Sequence, residues 1–157
     1  MRASRTIRVE KAIVKAGHWK DGRMPSNAFP MRRGKGYRLA GSWRWVVHTL
    51  EGDGSTYRLL IGYDLAKAQF QSWLGLADGN DSALLARLEF HDSHGGWHCH
   101  WKAGETDTIV RGIVRGGSVD RARKCGGNAR QFNDSDATAL AFRVFNVVSG
   151  VPAGNLI

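Results

Sequence analysis

The chain has 157 residues, 42% of them hydrophobic, and a formal net charge of +9. That length suits a single domain with a real core, and no run of about 18 apolar residues is present to form a membrane-spanning helix. Two cysteines, Cys99 and Cys125, are too few for a disulfide scaffold and point to a reducing compartment.

The opening M-R-A-S-R-T-I-R-V-E-K carries charge every few positions and has no signal-peptide core, so a soluble cytoplasmic protein with no membrane partner is expected. The sequons at Asn80 and Asn133 then have no glycosylation meaning. Charge is segregated along the chain. Residues 1–50 hold twelve Lys or Arg against Glu10 and Asp21, residues 51–107 hold four basic against nine acidic, and residues 108–130 hold six basic against Asp120 alone. Basic flanks of this kind can neutralise the phosphates of a polyanion, which makes nucleic acid the expected partner. The bland alternative is ordinary solubility charge.

Residues 1–37 form a basic N-terminal segment or arm. Its first half suits a short strand or helix around Ile7, Val9, Ile13 and Val14, and its Gly-, Pro- and Arg-rich second half suits a loop. Trp19, Phe29 and Tyr37 stand among cations there, either stacking bases or, more commonly, pinning the loop to the core. Arg32, Arg33 and Lys35 are its candidate phosphate contacts.

Residues 38–105 read as an antiparallel sheet. Trp43, Trp45 and Val47 alternate with Arg44, Val46 and His48; Asp53-Gly54 marks a hairpin turn; Tyr57, Leu59, Ile61 and Tyr63 alternate in the next strand. Gln69–Leu76 gives a third strand and Leu84–His91 a fourth, with Leu84, Ala86, Leu88 and Phe90 on the buried face. The segment H-D-S-H-G-G-W-H-C-H-W-K, residues 91–102, turns at Ser93–Gly96 into a fifth strand. Residues 106–133 are a basic, glycine-rich loop whose Arg111, Arg115, Arg121, Arg123 and Lys124, with Lys102 before it, could bind phosphate. A helix over residues 134–148, capped by Asp134 or Ser135, has its apolar stripe at Ala137, Leu140, Ala141, Val144, Phe145 and Val148. The expected fold is therefore α+β, an antiparallel β-meander of about five strands with a C-terminal helix packed on it.

The chemistry centres on the last hairpin, which holds four of the six histidines. Strand alternation puts His98, His100 and Lys102 on one face and Trp97, Cys99 and Trp101 on the other. With the turn at Ser93–Gly96, His91 lies opposite His98 and Glu89 opposite His100, so that Glu89, His91, His98 and His100 share a face. Two versions of a site follow. In one, Glu89, His98 and His100 hold a divalent ion (manganese, magnesium or zinc) while His91 or His94 moves the proton. In the other, two of His91, His94, His98 and His100 act as acid and base without metal, and a ribose 2′-hydroxyl is the nucleophile. The plain alternative is an exposed histidine cluster with no task.

His98-Cys99-His100, with Glu89 on the neighbouring strand, resembles the metal motif of HUH endonucleases. That resemblance implies a divalent ion polarising the scissile phosphate and a tyrosine nucleophile. This chain has no tyrosine after Tyr63, where the C-terminal helix offers Phe142 and Phe145. The run L-L-A-R-L-E-F-H-D-S-H-G-G-W-H-C-H-W is also similar to a segment of small uncharacterised bacterial proteins, and the size, charge and sheet-plus-helix plan are similar to bacterial ribonuclease toxins. The expected function is a small basic nuclease acting on RNA or single-stranded nucleic acid, in a toxin or phage-defence setting with a protein partner such as a cognate inhibitor. The rival expectation is a non-catalytic nucleic-acid- or protein-binding module: an antitoxin, an inhibitor or a complex subunit.

Overall fold

A computed structural model describes residues 3–30, 39–91, 96–101 and 132–148. In chain order these form α1 (Ala3–Arg8), β1 (Lys11–Lys15), β2 (Lys20–Asp21), β3 (Arg44–Gly52), β4 (Ser55–Asp64), β5 (Gln69–Asp78), β6 (Asp81–His91), β7 (Gly96–Trp101), α2 (Asp134–Phe145) and β8 (Val147–Val148). The protein is α+β. The sheet is not a simple antiparallel meander. β3 to β7 pair antiparallel in chain order, but β1 returns to the far edge of β3, β8 adds to β1 in parallel, and β2 also pairs with β3.

Local chemistry sets the central register. Asp53 and Gly54 both have positive φ, 50° and 73°, the combination a two-residue turn needs if its twist is to match that of its strands. Gly79 (φ 57°) serves the next turn, where Arg58 donates to the carbonyl oxygens of Gly79 (3.0 Å) and Asp81 (2.5 Å). Both faces of the sheet are covered, so β4 is buried almost without alternation from Tyr57 to Asp64. One face carries Val46, Leu50, Tyr57, Leu59, Ile61, Phe70, Leu74 and Leu88 against Ala137, Leu140, Ala141 and Phe145 of α2. The other carries Trp45, Leu60, Trp73 and Leu84 beneath Met24, Phe29 and Leu39.

Alternation along β6 is interrupted. A bulge opposite Leu74 and Gly75 inserts Leu85, so Leu84 sits in the second cluster, while Leu85 joins Ala86 and Leu88 on the helix side. Leu84 is thus on the opposite face from the one expected.

Helix α2 is capped by Asn133, whose side chain accepts from the backbone N–H of Asp136 at 2.8 Å, rather than by Asp134 or Ser135. Asp134 is engaged elsewhere: Arg44 grips both of its oxygens at 2.7 Å and the Tyr63 hydroxyl donates to Oδ1 at 2.7 Å. The helix ends at Phe145, three residues early, because Asn146 takes a left-handed conformation (φ 53°), and Val148 lies in β8, 40% exposed, instead of on the helical stripe.

The N-terminal segment is built into the molecule. Lys11, fully buried, donates through Nζ to the carbonyls of Ile7 (2.8 Å), Val9 (2.7 Å) and Phe145 (3.0 Å), so one ammonium ties the end of α1 to the end of α2. Trp19 and Phe29 pin rather than project. Trp19 packs 5.6 Å from Tyr63, and Phe29 meets Trp73 edge-on at 6.4 Å. Tyr37 lies outside the described residues.

Candidate functional site

The last hairpin forms where the sequence places it, with a register different from the expected one. His91 pairs with Gly96, Glu89 with His98 and Arg87 with His100. Gly96, expected in the turn, is instead the first residue of β7, and residues 92–95 lie outside the described residues. Moving the turn by one residue slides the pairing by two, and two is an even number. Glu89 and His100 therefore keep their shared face, while Glu89 exchanges its expected register partner for His98.

Extending the rows onto β5 gives a lattice of six residues. Gln71, Glu89 and His98 form one row, and Trp73, Arg87 and His100 the next. Directly opposed Cβ atoms in such rows lie about 5 Å apart, and the diagonal from Glu89 to His100 spans about 7 Å. Arg87 sits with its guanidinium carbon 5.4 Å from the centre of the Trp73 ring and its Nε 2.5 Å from Glu89 Oε1. The Glu89 side chain keeps 9% of its surface and that of Arg87 14%, while His100 is half-buried. Gly75 lets the covering loop come close, because a Cβ there would lie 3.1 Å from Phe29 Cζ.

Cys99 is on the opposite face, opposite Leu88 in the helix-side cluster. Burial, reinforced by the charge of Glu89, pushes its thiol up to about 12, so at neutral pH it is neither nucleophile nor thiolate ligand. His48 is a core histidine. Its Nδ1 accepts from the Gly17 N–H at 3.0 Å, it meets Phe142 edge-on at 5.8 Å, and burial lowers its pKa, which keeps it neutral.

Among the described residues no group of three or more His, Cys, Asp or Glu comes together as a metal-ligand set. The charged neighbour of Glu89 is a guanidinium, and a divalent ion about 5 Å from that cation would be opposed by several kcal/mol at an effective dielectric of about 20. Of the expected site residues, Glu89, His91, His98 and His100 are placed in paired strands; His94, Arg32, Arg33, Lys35, Lys102, Arg111, Arg115, Arg121, Arg123 and Lys124 lie outside the described residues.

Arg87, Gln71 and Trp73 went unassigned when the sequence was read. The signal for Arg87 was present, two residues from Glu89 on the same alternation, and the polar Gln69 and Gln71 stand out at the start of a largely apolar strand. Comparison of the chain with family models, with curated proteins and with solved structures gave no match.

Proposed function

We propose that this protein is a small basic ribonuclease that cleaves RNA without a metal ion, in the kind of setting where a toxin or phage-defence effector works. In this reading Glu89 accepts the proton of the ribose 2′-hydroxyl as its oxygen attacks phosphorus. His100 gives a proton to the departing 5′-oxygen, leaving a 2′,3′-cyclic phosphate and a free 5′-hydroxyl. The observation that carries it is the diagonal pairing of a carboxylate and an imidazole on one sheet face. Its span of about 7 Å leaves room for a phosphate between base and acid, which direct opposition would not. Arg87, between them in the lattice, suits the charge that builds on the phosphate oxygens. The basic segments before and after the sheet would hold the RNA backbone.

The metal version has less support, because Arg87 already neutralises the carboxylate that would have to ligate the ion. One observation favours the non-catalytic reading: a mostly buried ion pair stacked on a tryptophan is also what a purely structural contact looks like.

The deciding assay incubates the full chain with labelled RNA and with single-stranded DNA of the same sequence, in EDTA. Cyclic-phosphate ends on RNA only, with E89Q and H100Q each slowing cleavage by about a hundredfold or more per folded molecule, are the expected result. Cleavage of both polymers that stops in EDTA would restore the metal version. Intact RNA, bound with an affinity that falls steeply with salt, would mark a binding module.

A further inference from the structure

Between β1 and β2 the chain runs beside β3 without ladder pairing. Register with β3 holds at Ala12, Ile13 and Lys15 and resumes only at Lys20, opposite Trp45. In the gap the Gly17 N–H donates to the His48 ring, 3.0 Å from Nδ1, while the Gly17 backbone lies close against the Val47 carbonyl. A titratable nitrogen thus stands where a sheet ordinarily supplies a fixed carbonyl acceptor. Nδ1 accepts only while it carries no proton, so the neutral ring holds its hydrogen on Nε2. The ring is 7% exposed, and Nε2 is buried without a hydrogen-bond partner among the described residues. A proton added at Nδ1 would set two N–H groups against each other. It would also place a charge among cations and apolar rings: Leu59 stands opposite on β4, Lys15, His18 and Lys20 flank Gly17, and α2 brings Phe142 and Arg143. The acids of α2, Asp134 and Asp136, lie in its first turn, about two turns before Phe142, and Asp134 is already held by Arg44 and Tyr63.

The stretch that follows is lightly held. β2 is two residues long; Gly22 donates to the Trp43 carbonyl at 3.0 Å, and Asp21, its side chain 80% exposed, meets Arg44 at 3.1 Å. Its two ends are firmer, with β1 paired on both sides and Met24 and Phe29 fully buried. We propose that His48 is an acid-operated latch: while neutral it holds residues 16–22 on β3, and on gaining a proton at Nδ1 it lets that stretch go, between ends that stay in place. Release would carry Trp19 away from Tyr63 and Lys20 away from Trp45. The latch is independent of the ribonuclease reading, whose residues lie toward the other end of the strand order. Its sign follows from the burial that lowers the His48 pKa below the ordinary 6.5, so that the released stretch takes up the proton first. Docking is complete above about pH 6.5, and the ratio of docked to released molecules falls by up to about tenfold for each pH unit below it.

The test follows the full chain by NMR from about pH 7.5 to about pH 5, reading the ring nitrogen shifts of His48 and the hydrogen exchange of the Gly17 and Gly22 amides. At the upper end the proton should sit on Nε2, and both amides should be protected, though less than those of β4, which open only with the whole fold. Below about pH 6.5 the protection of Gly17 and Gly22 should fall together, by up to about tenfold per unit beyond the change in intrinsic exchange. His48→Asn places an amide oxygen near the position of Nδ1 and does not titrate, so protection there should be flat across the range. His18→Gln, which removes the neighbouring imidazole, should leave the wild-type response intact. A proton on Nδ1 at neutral pH overturns the latch, and so does an acid response that persists in His48→Asn. Gly17 and Gly22 amides as protected as those of β4 at every pH would mean that the stretch leaves only with the whole fold, which also overturns it. The tautomer and the ranking of amides are read in the wild-type protein, so the outcome stands even where the asparagine variant does not fold.

Discussion

Lys11 shows how much one side chain can hold. Its ammonium is removed from water, and burial pulls its pKa down to about 8 from the ordinary 10.5. Three backbone carbonyls and the Tyr57 ring face, 5.1 Å from Nζ, stand in for the lost hydration. The unfolded chain therefore binds one more proton than the folded protein between about pH 8 and 10.5. Stability from this group is complete above that window and is lost as pH falls through about 8. Cys99 works in the opposite sense. Its thiol, raised to about 12 in the fold, keeps a proton that the unfolded chain gives up near pH 9, so its contribution declines above that point. The two effects separate between pH 8 and 9. Urea denaturation there should show stability rising with pH in wild type, by at most about 1.4 kcal/mol per unit, and a flatter slope in Lys11→Met. Equal slopes in the two proteins would mean that the ammonium is not desolvated in the way its burial implies.

At the scale of elements, alternation and turn chemistry carried the reading far. The Asp53-Gly54 turn, the strand faces of β3 and β4, and the stripe Ala137, Leu140, Ala141, Phe145 were legible because each depends on residues close in sequence. Two features were not. The bulge at Leu85 depends on which residue of β5 stands opposite, and that is decided by packing on both faces at once. The register of the last hairpin, with Gly96 in β7 opposite His91, is a matter of pairing between strands that local sequence leaves open. Because the slip was even, Glu89 and His100 still lie on one face of the sheet, and the observed register sets Arg87 opposite His100.

The helix cap is a similar near miss, and it can be checked. With Asn133 as the cap, Asn133→Ala should lose about 1 kcal/mol of stability, while Ser135→Ala, at an exposed position, should change it by less than about 0.5 kcal/mol. The reverse order in thermal melts would return the cap to the position expected from sequence. Asp134 holds its place by a different route. Arg44 and then Tyr63 hydrogen-bond its carboxylate and lower its pKa, so it anchors the first turn of α2 onto β3 and β4.

Across the whole molecule, the N-terminal residues Ile7, Val9 and Ile13 and helix α2 cover one face of the sheet and leave the other to the loop carrying Met24 and Phe29. β1 lies between β3 and β8, pairing Lys11 with Val147 on one side and Ala12 with Glu51 on the other. This is why an N-terminal stretch that reads as a loose basic arm is structural: its apolar residues Ile7, Val9 and Ile13 are spent on the helix-side core. The approach is close enough to exclude a side chain at both ends of the crossing. A Cβ on Gly52 would come within 2.4 Å of the Glu10 carbonyl oxygen, and one on Gly17 within 2.0 Å of the Val47 carbonyl oxygen. Backbone meets backbone at both points, so neither clash can be relieved by turning a rotamer. Gly41, which has open space around its Cβ position and no unusual φ, is the matched control. Gly17→Ala and Gly52→Ala should each cost more than about 2 kcal/mol, whereas Gly41→Ala should fall within about 0.5 kcal/mol of wild type. Equal stability in all three glycine variants would show that the N-terminal segment is not docked against β3.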